Sequence, residues 1–257
     1  MRNIDFYPSA IDAGGCISNG WNLVKANYGM YLGISLLAML MAGCIPCISI
    51  FLFGPVVGGV YFVYLRVMRG EPVDFGMMFK GFDKFGSLMA IGIIQQIPAI
   101  IGQILRITVD VGRIGLTGGG RSRDLDFFQA AKPDLAIATG LLIVVIVVAL
   151  VFLVFSIIWH ILMFFAIPLA MENNLGVGEA LKLSARAGKA NVGGLILLAI
   201  FEGLLIILGM IALCIGIFFV MPLLYAANAF AYRQVFPLLG PDTPQQPAYG
   251  TGFGSGM

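Results

Sequence analysis

The sequence predicts an all-α, polytopic membrane helix bundle. It has six transmembrane helices with short amphipathic interfacial helices, organised as internal hairpin repeats. Three observations predict it. Of 257 residues, 60% are hydrophobic and 11% charged, against roughly 45–50% and about 25% in a soluble domain. Four long stretches are almost free of charge, and parts of the chain repeat one another. The mean hydropathy of +0.98 agrees. So few charges cannot cover a water-soluble globule, so lipid is the solvent for most of the chain. That excludes an ordinary cytosolic enzyme, a nucleic-acid binder and a disordered protein, and a net charge of +2 is too small to steer anionic partners.

The stretches set the spans, since about 20 apolar residues cross the hydrocarbon core. Met30–Leu65 runs about 36 residues without a charge and is too long for one span. Two spans joined at Cys44-Ile45-Pro46-Cys47 fit it. Phe85–Leu105 covers about 21 residues, one span. Ala136–Met171, as a single helix, would be about 54 Å long and project beyond the lipid at one end. Asn191–Tyr232, charged only at Glu202, divides into two spans at Cys214-Ile215-Gly216. Pro55 and Pro222 read as kinks in the second helix of each pair. No cleavable signal peptide is expected, because the first apolar run is too long for one. The membrane domain spans 1–236, with an extramembrane loop at 109–135. The Pro/Gly-rich tail 237–257 reads as disordered.

Six spans put both termini on one face. That face carries Arg2, Lys25, Arg66, Arg69, Lys80, Lys84, Lys182, Arg186, Lys189 and Arg233. The opposite face has Arg106, Arg113, Arg121, Arg123 and Lys132. The positive-inside rule then makes the termini cytoplasmic.

Self-similarity organises the spans into units of about 10–68, 72–171 and 175–236. Lys25-Ala26-Asn27 recurs as Lys189-Ala190-Asn191. Cys47, Pro55 and Arg66 recur as Cys214, Pro222 and Arg233, each 167 positions on. An amphipathic stretch precedes each Lys-Ala-Asn. One carries Ile11, Ile17, Trp21 and Val24. The other places Ala180, Leu181, Ser184 and Ala185 on a common face. In the middle unit Phe75, Met78, Phe79, Phe82 and Phe85 form an aromatic-rich counterpart. Such helices are expected to lie in the interface, apolar side down.

The run from Pro168-Leu-Ala-Met-Glu172 through Glu179-Ala180-Leu181-Lys182-Leu183-Ser184, with Pro222 and Tyr232-Arg233 beyond it, resembles a family of bacterial six-span membrane proteins of unknown function. That family is similar to the membrane domain of membrane-anchored glycerophosphoryl diester phosphodiesterases. The resemblance implies an anchor without the enzyme. The chain has no room for the soluble barrel and lacks the clustered Glu, Asp and His that phosphodiester chemistry needs. The family brings no catalytic residues to transfer.

Ionisable groups at membrane depth are costly and so draw a functional reading. Counted from one predicted face, Glu202, His160 and Gln95 lie at about 16, 18 and 15 Å, nearly one level. They form the candidate intramembrane polar cluster. It could hold a shared proton or a cationic substrate, or serve as interhelical glue. One His and one Glu are too few for a metal site, so no metal or cofactor is expected.

Three further motifs have plainer readings. Cys44-x-x-Cys47 lacks the strand–helix context of a redox motif, although a disulfide involving Cys214 stays open. Gly115–Ser122 approximates a P-loop with Arg121 for Lys and reads as a linker. Gly54-Pro-Val-Val-Gly58 permits close helix packing. The functional expectation is a non-enzymatic scaffold, anchor or lipid-contacting module of a bacterial cytoplasmic membrane. Its partners would be the bilayer, no nucleic acid, and an unidentified membrane protein or second copy. The alternative is a small transporter or permease using the polar cluster.

Overall fold

The computed structural model describes residues 4–43, 46–116, 135–211 and 215–237, with the backbone alone at 42–43, 46–48, 108–116, 135–142 and 145. All regular structure among these residues is helical. In order the helices are α1 (Ala13–Ala26), α2 (Tyr28–Gly43), α3 (Pro46–Met68), a 3₁₀ helix (Phe75–Lys84), α4 (Phe85–Gln95), α5 (Ile97–Leu116), α6 (Leu135–Met163), α7 (Ala166–Asn173), α8 (Val177–Ala190), α9 (Val192–Ile211) and α10 (Gly216–Val235). The chain groups into two compact units, Met1–Ile94 with Ile161–Met257, and Gln95–His160. A single membrane domain over 1–236 was expected.

The two predicted turns fall mostly outside the described residues, and helices end on either side of them. α2 ends at Gly43 and α3 starts at Pro46; α9 ends at Ile211 and α10 starts at Gly216. Pro55 and Pro222 lie inside α3 and α10, which continue through them.

In the first unit, α3 is the platform. A Cβ on Gly54 would strike the Leu88 carbonyl, one on Gly59 the Met78 carbonyl, and one on Gly81 the Pro55 carbonyl. The small residues let the backbones of the 3₁₀ helix and α4 press directly onto α3. Met78 and Gly81 are buried there, while Phe75, Phe79 and Phe85 stay exposed on the outer side.

α1, expected as an interfacial helix, packs against α10. It runs antiparallel along α10: the Asp12 N–H donates to Gln234 Oε1, a Cβ on Gly20 would sit 3.1 Å from the Ala227 nitrogen, and the Tyr28 hydroxyl donates to the Phe219 carbonyl. Its packed face is Ala13, Cys16, Gly20 and Val24, and Trp21 points outward at 50% exposure. Small residues permit this approach; of the apolar residues read from the sequence, Val24 joins them and Trp21 does not. α2 then departs at a bend of 106°. α8 differs in the same way. Its buried face is Ala180, Leu183, Ser184 and Ala187, with Leu181 and Ala185 only half-buried.

The long third stretch is not one helix. It breaks at Phe164-Phe165, four and three residues before Pro168, whose nitrogen cannot donate to residue 164. Ser184 of α8 bridges the break. Its hydroxyl donates to the Leu162 carbonyl at 2.7 Å and accepts the Phe165 N–H at 3.1 Å. Gly188 is pressed against the Ile161 carbonyl alongside.

In the second unit, α5 runs to Leu116, so the loop expected from 109 begins as helix. Residues 117–134 of that loop, most of the P-loop-like run and the tail from 238 lie outside the described residues. So do Cys44, Cys214 and the side chain of Cys47. α6 turns one narrow stripe inward, with Phe152 beside Gly102 of α5. Around the rest of its circumference it exposes large apolar side chains, Val151 at 65%. A helix apolar all round belongs in lipid or against other apolar helices.

Among the described residues, three helical stretches are long and apolar enough to cross a membrane: Ser49–Met68, Ile146–Asn173 and Val192–Ile211. There are up to five if two bent pairs, Ala13–Ala26 with Tyr28–Met41 and Phe75–Gln95 with Ile97–Ile107, each count as one span. The chain is therefore an all-helical one with several helices suited to membrane insertion. The count falls below six partly because Phe85–Leu105, read as one helix, is broken at Gln96. It also falls because Asn228, Arg233 and Gln234 make α10 more polar than its neighbours.

Candidate functional site

Two carboxylates sit among the packed helices of the first unit. Glu172 lies at the C-terminal end of α7, beside the end of α10. Arg233 grips it with both ends of its guanidinium, Nη1 to Oε2 at 3.0 Å and Nη2 to Oε1 at 2.5 Å. The Tyr232 hydroxyl donates to Oε2 at 2.7 Å, and Arg69 Nη2 donates to Oε1. Asn173 Nδ2 in turn donates to the Tyr232 hydroxyl at 3.2 Å. The side chains of Arg233 and Glu172 are 3% and 10% exposed. A fork of this kind matches carboxylate geometry and suits a desolvated site.

The surroundings extend the network to α3. Arg69 also lies 3.7 Å from Glu71, which accepts the Arg66 Nε–H at 2.6 Å. Lys84 donates to the carbonyls of Ala170 at 3.3 Å and Met171 at 2.8 Å, at the end of α7 where carbonyls lack helical partners. Four of the cations expected on one face thus come together. The described N-terminal segment joins them, with the Tyr7 N–H donating to the Val235 carbonyl.

Glu202, midway along α9, has a different environment. Among the described residues its side-chain hydrogen-bonding neighbour is Asn228 of α10, and no cation acts on it. Cys16 of α1 and Tyr61 of α3 are close enough to feel its charge. Glu202 Oε1 and Asn228 Oδ1 are both buried without a hydrogen-bond partner among the described residues. Asn228 was not singled out in the sequence, although Gln95, an amide as well, was.

Glu202 belongs to the first unit, Gln95 and His160 to the second. Gln95 is half-buried at the end of α4 and His160 exposed on α6. The repeat-equivalent positions share conformation more than contacts. Asn27 and Asn191 both end a helix with their N–H bonded three residues back, to Val24 and Gly188. Only Asn191 is buried, accepting from the Ala10 N–H and donating to the carbonyls of Tyr7 and Ala187. Lys25 donates to Asn22 Oδ1, while Lys189 is exposed. Arg66 and Arg233 both engage a glutamate, but different ones.

Among the described residues no group of three or more His, Cys, Asp or Glu side chains could hold a metal ion. Comparison with protein-family models, curated proteins and solved structures finds no match to this chain. Fold and site define a class, a helical protein with membrane-compatible helices, and nothing narrower.

Proposed function

We propose that this chain is a non-enzymatic multi-pass integral membrane protein acting as a scaffold, anchor or lipid-contacting module of a bacterial cytoplasmic membrane. The observation that carries this reading is α6, whose described side chains between Ile143 and Ile158 are apolar around most of the circumference and exposed. A helix of that kind offers hydrocarbon contact and no chemistry. The Glu172 network supports the reading, because its charges are spent on tying α3, α7 and α10 together. The anchor-without-enzyme resemblance belongs to the same proposal.

Six spans remain the arrangement that the apolar lengths favour. The bond between Tyr7 and Val235 supports ends on one side, and the Lys/Arg count makes that side cytoplasmic.

A small transporter or permease is the second reading, favoured by Glu202 inside the bundle with a buried, unpartnered oxygen. Cysteine-accessibility labelling along α9 separates the two. The scaffold reading expects no reaction with a water-soluble thiol reagent at positions flanking Glu202. A labelled path reaching Glu202 from one side would replace it with the transporter reading.

A further inference from the structure

We propose that Glu202 and Asn228 form a proton-binding site within the helix bundle. In it a neutral Glu202 donates its acid O–H to Asn228 Oδ1, and the Asn228 amide donates to the other carboxyl oxygen. The proposal goes beyond the scaffold reading and stands whether or not that reading holds.

The argument is one of donors and acceptors. A carboxylate only accepts hydrogen bonds, and so does the amide oxygen. Two neighbouring side chains here each bury an acceptor without a donor, Glu202 Oε1 and Asn228 Oδ1. One proton on Glu202 serves both at once and closes a two-bond ring between acid and amide.

The surroundings favour the neutral acid. From α1 the facing groups are Cys16, whose thiol lies 3.4 Å from Gln234 Oε1, and beyond it Asp12. From α3 the facing group is Tyr61, with Tyr225 of α10 next to it. All of these are neutral or acidic. None can balance a negative charge on Glu202, and a carboxylate taken out of water needs a paired charge. Binding itself is simple: a carboxylate takes one proton from water and becomes the acid.

Infrared spectroscopy on the full chain in lipid nanodiscs tests the site. At neutral pH the expected spectrum has a protonated-carboxyl carbonyl band that shifts in D₂O and is missing in Glu202→Gln. In Asn228→Leu the band should persist and move to higher frequency, because its amide partner is gone. Glutamine is isosteric and can make the same ring, so E202Q should fold. Identical spectra from wild type and E202Q would overturn the proposal. So would an N228L band left in place. Loss of the band on adding sodium at constant pH would assign the site to a metal cation and overturn it as well.

Discussion

Glu172 and Glu202 are two carboxyl groups in one helical unit, and they are treated in opposite ways. Glu172 has two arginines and a tyrosine on its oxygens, at a junction of three helices. Among the described residues Glu202 has one amide for a neighbour, no cation, and an oxygen without a partner. The difference teaches that burial of a carboxyl does not by itself mark function. A fully paired one is a clasp, and its residues are explained once the helices are held. An underpaired one has capacity left over.

The contrast predicts a graded series. Arg233→Met or Glu172→Gln should be the most damaging, costing about 3–5 kcal/mol, because each strands the other half of a buried pair. Denaturant unfolding in detergent micelles would read this as a large drop in midpoint. The double variant should cost less than the sum of the singles. Arg69, 31% exposed, should matter far less, since exposed pairs are worth about 0–1 kcal/mol.

Ser184→Ala comes next. It removes the hydroxyl bridging the α6–α7 break that positions Glu172, and should cost about 1–3 kcal/mol through two unsatisfied backbone groups. Hydrogen exchange would show faster exchange at the Phe165 amide. Unchanged exchange there would mean that the break holds without the serine.

Glu202→Gln should be the mildest, with a change of less than about 1 kcal/mol, the net worth of one neutral hydrogen bond. An E202Q variant as unstable as E172Q would erase the distinction between the two sites.

The sequence carried the architecture at coarse grain. The helical class was readable, because long uncharged runs in lipid satisfy their backbone groups within helices. Gly54 and Gly58 announced close packing, and the structure places Gly54 against Leu88 and Gly92. Depth was not readable. Aligning Gln95, His160 and Glu202 assumed unbroken helices at a fixed rise, and the break at Phe164-Phe165 cancels that ruler for His160. The clasp was half visible. Glu172 stood in the resembling motif and Arg233 in the repeat, but 61 residues separate them and no local pattern joins them. A lone Glu at the end of one apolar stretch and a Tyr-Arg at the end of another was the signal to pair.

The central claim is that hydrocarbon is the solvent in which this fold is built, and α6 tests it most directly. Nitroxide labels placed singly at Val147, Val151 and Ile158 of the reconstituted chain can be probed for collision with oxygen and with a water-soluble nickel complex. The account predicts strong oxygen and weak nickel collision at all three positions. Ready access of the nickel complex to them would place α6 in water and contradict it.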